Sequence, residues 1–155
     1  VSNAEWQSGM DAPTFEAFKE NLTTSPKATI AKFQALQVKG AKSARDDLKV
    51  IRESASTAHS FPMLMQGLNW LGDVSLFDGW RELPLPVLAQ YGVNDLLVSP
   101  ALCELGDVFP KNSTTMVFEN SAHIPFVSEP EAWVASIDKF IGDSVKVGFS
   151  EVENR

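Results

Sequence analysis

After Trp80 this 155-residue sequence changes pattern, and the residues beyond it admit few folds. Leu83-Pro84-Leu85-Pro86 is a stiff, extended connector. Val87 to Tyr91 then reads as a short strand, apolar on both faces, that stops at Gly92. A loop from Val93 to Ser99 leads to a helix from Pro100 to about Phe109. Thr114 to Glu119 is a second strand, and a loop from Asn120 to Phe126 precedes a helix from Pro130 to Ile141. Ser128 and Glu131 offer that helix a capping box. Strand, loop and helix, twice over, is the pattern of a parallel α/β sheet covered by helices. Two strands cannot make such a sheet alone, so this half reads as the last part of a larger one.

The half before Trp80 reads as helices. Asp11 caps a first one carrying Phe15, Phe18 and Leu22, and Ser25-Pro26 starts a second. On the second, Ile30, Phe33 and Leu36 recur every three residues, and Gly40 ends it. Ser43 opens a third, with Ala44, Leu48, Ile51 and Ala55 as its apolar stripe. A fourth begins near Phe61-Pro62 and carries Met63, Leu64, Leu68 and Leu71. Four short helices with short connections make an antiparallel cluster or a lid. No repeat of fixed period is present.

The overall charge of −7 hides an asymmetry. Seven basic residues (Lys27, Lys32, Lys39, Lys42, Arg45, Lys49 and Arg52) share their stretch with only Asp46 and Asp47. A segment of +5 thus sits inside an acidic chain, and such a patch can steer an acidic partner. Read by itself, it is a solvated helix face. The acidic total disfavours nucleic acid as a partner. No apolar run reaches the roughly 18 residues of a membrane span, and the N-terminal residues lack the signature of a signal peptide. A cytoplasmic protein is the expectation. One cysteine, Cys103, excludes an internal disulfide. With it and two distant histidines, His59 and His123, no metal cluster of the usual spacing can be built, and His59 reads as structural.

In parallel α/β sheets the ligand site lies beyond the carboxyl ends of the strands. Asp95 comes after the first strand, and His123 after the second. An Asp and a His at the same edge of adjacent strands can form the pair that orients an imidazole and offsets its positive charge. Imidazole suits proton transfer because it titrates near neutrality. Singly, each residue has a plainer reading: Asp95 as a turn former, His123 as a packed or surface side chain.

Strand–Asp95, helix, strand–His123-x-Pro125 and a helix led by Glu129-Pro130 resemble the C-terminal portion of the α/β-hydrolases, whose triad runs Ser, Asp, His along the chain. Phe33-x-Ala35-Leu36-Gln37-x-x-Gly40-x-x-x-Ala44-Arg45-x-Asp47 resembles the lid of one family of these, the pimeloyl-[acyl-carrier protein] methyl ester carboxylesterases of biotin synthesis. The resemblance runs from about Trp6 to Ile141. It implies an α/β class chain with residues 1–80 as a four-helix lid and 81–142 as the last strands and helices of the core; residues 143–155, beyond the resemblance, read as a loose tail. It further implies Asp95 and His123 as catalytic residues. Phe33, Gln34, Ala35, Leu36 and Gln37, with His123, would line the acyl chain's path, with Gln37 able to meet a carbonyl. Lys32, Arg45, Lys49 and Arg52 would dock an acidic acyl-carrier protein. Neither cofactor nor metal is implied.

One part of that machinery is missing. No serine here has glycine both two residues before and two after it, as a nucleophile elbow requires. Ser99 and Ser121 stand near Asp95 and His123 but not in a strand–elbow–helix context, and Cys103 falls in the wrong order. The expectation is that the N-terminal sheet, nucleophile and oxyanion hole belong to a missing N-terminal segment of the same protein, so that this chain alone is inactive. Two alternatives stay open. One is another α/β-hydrolase, an esterase or a C–C hydrolase; the other is a non-catalytic basic helical module that binds an acidic protein.

Overall fold

The computed structural model describes residues 9–55, 60–104 and 108–153; His59 lies outside them. Among the described residues five helices precede the strands: α1 (Ala12–Thr24), α2 (Pro26–Val38), α3 (Ala44–Ser54), α4 (Phe61–Asp73) and the short α5 (Phe77–Arg81). Asp11 caps α1 through the Thr14 N–H at 2.9 Å and its hydroxyl at 2.8 Å, satisfying a donor that has no helical partner. Phe15 and Leu22 are its buried residues. Helix α2 starts on Pro26. Its buried side chains are Thr29 and Val38, whereas Ile30 of the expected stripe is exposed. Positions spaced strictly by three creep about 60° per step around a helix, so that stripe cannot stay on one face. Thr29 tolerates burial because its hydroxyl donates to the Ser25 carbonyl at 3.0 Å.

Helices α1, α2 and α3 pack in sequence, with the Phe18 and Phe33 rings 5.6 Å apart, and α4 leans on α1 where Gly72 meets Phe15. Helix α4 buries none of its side chains; Leu64 and Leu68 are half-buried, and Met63, Trp70 and Leu71 face outward. Helix α5 is additional to the four expected. It ties to the strands through Trp80, whose indole N–H donates to the Val108 carbonyl at 2.8 Å, and through Phe109, which lies between the rings of Trp80 and Tyr91.

Strands β1 (Val87–Gly92) and β2 (Ser113–Phe118) pair in parallel, Val87 opposite Ser113 and Gly92 opposite Phe118. Of the helix expected over residues 100–109, Pro100–Glu104 is a 3-10 turn, and residues 105–107 lie outside the described residues. Pro110 disfavours helical backbone at Phe109, which is not helical. Beyond β2 come α6 (Pro125–Ser128) and α7 (Pro130–Glu153). Helix α7 continues past Ile141 to Glu153, into the segment 143–155, since a single Gly142 weakens a helix without stopping it. Ser128 and Glu131 do not form the capping box. The Trp133 N–H bonds to the Glu129 carbonyl, so the cap position falls one residue after Ser128. Leu102, Val108, Phe118, Ala122 and Ile124 form the core beneath the strand ends, while Phe15, Leu22, Val38 and Ala41 form that of the helices.

Candidate active site

Asp95 and His123 meet at the carboxyl ends of β1 and β2. Asp95 Oδ2 lies 2.9 Å from His123 Nδ1. Its other oxygen, Oδ1, accepts the backbone N–H groups of Leu97 at 2.8 Å and Val98 at 3.0 Å. The turn-former reading of Asp95 and the His-partner reading therefore both hold, one for each oxygen. Asp95 is buried, with a side chain 4% exposed, while the His123 imidazole is 33% exposed. Burial alone would raise the Asp95 pKa. Hydrogen bonds from His123, Val98 and Leu97, with the charge of His123, outweigh it and hold the carboxyl below its ordinary value. An ionised Asp95 keeps a proton on Nδ1. Among the described residues Nε2 has no hydrogen-bond partner, so its lone pair is available to a reacting group.

The loop carrying His123 is fixed from three sides. Glu129 accepts from the Asn120 N–H at 3.0 Å, the Asn120 side-chain amide at 3.3 Å and the Ser121 hydroxyl at 2.6 Å. Its burial raises its pKa, but these donors and the nearby Lys42 charge leave the carboxyl below its usual range. From the strand side, Val93 donates to Phe118 and Asn94 to Ser121 at 3.0 and 3.1 Å. From the helical side, the His123 N–H donates to the Gln37 carbonyl at 3.0 Å, and the Lys42 N–H to the Asn120 carbonyl at 2.9 Å. Gly40 makes that approach feasible. Its φ of +94° suits glycine, and a Cβ there would lie 2.9 Å from Asn94 Cβ.

The half-buried run Phe33 to Gln37 thus ends against His123, joined to it through the Gln37 backbone. Lys32 on α2 and Arg45, Lys49 and Arg52 along α3 are all exposed to solvent; Lys49 pairs loosely with Glu53 at 3.9 Å. Ser121 is fully buried and donates to Glu129, and the Ser99 hydroxyl accepts from the Ala101 N–H. Asp47 and Glu129 enter the sequence pattern without a role of their own. In the structure Glu129 braces the loop, and Asp47 reaches Ser128 across from α3. Glutamate immediately before the helix-starting Pro130 is the only local trace of the first. A groove of about 830 Å³ opens between the strands and α7, lined by Leu88, Met116, Ser136 and Phe140 among others, but neither Asp95 nor His123 lines it. Among the described residues, no cluster of metal-ligating side chains occurs, and no helix is long and apolar enough to cross a membrane.

An Asp–His pair beyond parallel strands, with helices inserted ahead of it, sits on a fold that solved esterases share. The chain superposes with a TM-score of 0.79 on an esterase from Exiguobacterium antarcticum, at 18% identity over 92% of this chain and 52% of that one. It superposes with a TM-score of 0.71 on a thermophilic esterase from Thermogutta terrifontis, at 17% identity over 89% and 53%. The fold is that of an α/β-hydrolase, in which these elements correspond to the C-terminal part. No protein-family model matches the chain. In sequence it resembles the pimeloyl-[acyl-carrier protein] methyl ester esterases. It is 34% identical over 144 residues to that of Aeromonas hydrophila and 35% to that of Aeromonas salmonicida, covering 92% of this chain and 56% of each relative. The Vibrio vulnificus esterase is 34% identical over 145 residues, with the same coverage. The chain spans about half the length of the curated relatives it matches.

Proposed function

We propose that this chain supplies the Asp–His pair and the lid of a serine carboxylesterase that hydrolyses the methyl ester of pimeloyl-[acyl-carrier protein]. The observation that carries the reading is the 2.9 Å contact between Asp95 Oδ2 and His123 Nδ1 at the ends of adjacent parallel strands, in a chain so similar to esterases of that name. A serine from outside the chain is the nucleophile. His123 Nε2 takes the serine proton as the hydroxyl oxygen attacks the ester carbonyl, then gives it to the departing methoxide, releasing methanol. In the second half His123 takes a proton from water, whose oxygen attacks the acyl-serine carbonyl; the free acid leaves and the serine proton returns. Asp95 holds the imidazole in one tautomer and offsets its charge while it is protonated. No step calls for a metal or cofactor.

Phe33 to Gln37 form the lid's inner surface along the acyl chain. Lys32, Arg45, Lys49 and Arg52 meet the acidic carrier protein and raise its rate of encounter. A carrier-protein substrate implies a cytoplasmic setting. Without the segment that holds the serine, the chain has no turnover.

A fluorophosphonate probe with intact mass measurement tests this. The full-length protein is expected to gain one adduct, and the 155-residue chain none. Labelling of the chain itself, or none of the full-length protein, overturns the reading.

A further inference from the structure

Asp47 is a carboxylate for which the proposed chemistry has no use, yet it is only 4% exposed. Its Oδ2 accepts from the Ser43 hydroxyl at 3.0 Å, at the start of α3, and from the Ser128 hydroxyl at 2.6 Å, at the end of α6. Among the described residues no lysine or arginine lies within ion-pair distance of it. Burying a carboxylate without a cation is costly, and the N-terminal end of α3 offsets only part of that cost. Ser128 in turn has a shorter bond to Asp47 than to the Ile124 carbonyl, 3.4 Å away.

The location of this contact gives it a role. The end of α2 and its connection to α3 already hold the near end of the His123 loop, through Gln37 to His123 and Lys42 to Asn120. Helix α6 starts two residues after His123 and closes on Ser128. The stretch from Asn120 to Ser128 is therefore held at both ends by the same helical segment. We infer that Asp47 and Ser128 are positioning residues: a buried latch that keeps this segment seated on the His123 loop, and so keeps the imidazole aligned with Asp95. Its effect on turnover rests on the esterase reading; the latch itself does not.

Ser128→Ala removes the bond between the elements while leaving Ser43 to Asp47 intact, which separates the latch from any service Asp47 gives to α3. Ser128→Thr restores the hydroxyl. In the full-length protein, backbone amide exchange is measured at the peptides holding Lys42 and His123, with α1 and α7 as references, alongside kcat and KM for a small p-nitrophenyl ester. Loss of one charge-assisted hydrogen bond is expected to speed exchange at Lys42 and His123 about 10-fold and to lower kcat by a similar factor with KM little changed. Threonine is expected to restore both. Unchanged exchange at those two amides in Ser128→Ala overturns the latch, whether or not any ester is turned over. Equal acceleration in α1 and α7 also overturns it, since that is general destabilisation. Faster local exchange with unaltered kcat overturns the positioning role. Faster local exchange in a protein whose wild type hydrolyses no ester upholds the latch and overturns the esterase reading.

Discussion

Gly92, the last residue of β1, lies so close under the Ala122 carbonyl that a Cβ on it would run into that oxygen. Ala122 is fully buried and is the immediate neighbour of His123, so the strand end and the histidine loop leave no space between them. Neither side of this contact can yield without moving the imidazole.

Gly92→Ala is accordingly expected to destabilise the protein by about 1–3 kcal/mol, the usual cost of forcing a methyl into a packed site. Denaturant titration reads that loss. Ester turnover should fall further than the fraction of unfolded protein accounts for.

Asp95→Asn keeps a side-chain oxygen for the Leu97 and Val98 amides but turns an NH₂ toward His123. The favoured imidazole tautomer then carries its proton on Nε2, where a base must have none. In the full-length protein kcat is expected to drop about 10⁴-fold, with a thermal midpoint close to wild type. A drop of less than about tenfold would remove Asp95 from the mechanism.

Acid should unfold the chain partly through Asp95 and Glu129, whose carboxyls the fold holds below their unfolded values. Linkage sets the sign: the native state favours the ionised forms, so the stability they contribute is complete above the ordinary carboxylate range. It is lost as the pH falls through that range and the lower, folded values. Urea titrations between about pH 7 and pH 3 are expected to show a shallower pH slope in Glu129→Gln than in wild type.

Charge reversal tests the docking face. Arg45→Glu combined with Lys49→Glu is expected to slow hydrolysis of a carrier-linked ester by about 10-fold or more at low salt, with less effect as salt rises. Small free esters should be spared. Equal losses on both substrates would separate the basic patch from the carrier protein.

Local signals are legible in the residues. Asp11, Pro26 and Gly40 mark helix boundaries because each acts through its own backbone or its nearest turn, and both strands lie within one residue of where their apolar runs suggest. The Asp95–His123 pairing is legible too, since two loops at the same edge of adjacent strands have little choice but to meet. The features that escape a reading of the residues depend on contacts far apart in sequence. Nothing around Asp47 tells that its oxygen is taken by Ser128, and nothing around Ser128 tells that it serves Asp47 rather than α7. The outward face of α4 is unreadable for a related reason: Met63, Trp70 and Leu71 have the spacing of a core helix, and a pattern cannot say whether a partner surface lies within reach.

The two halves of the Asp95–His123 contact are assembled over very different spans of chain. Asp95 takes its orientation from amides two and three residues along, whereas His123 depends on Asp95, 28 residues back in the loop after β1, and on Gln37, far upstream. During folding the acid can therefore be set early, by its own turn, while the base waits for the whole tertiary structure. On mild denaturation the order reverses: the imidazole should come adrift first, leaving an intact aspartate turn, and residue-resolved exchange at Val98 and His123 will register that sequence of events.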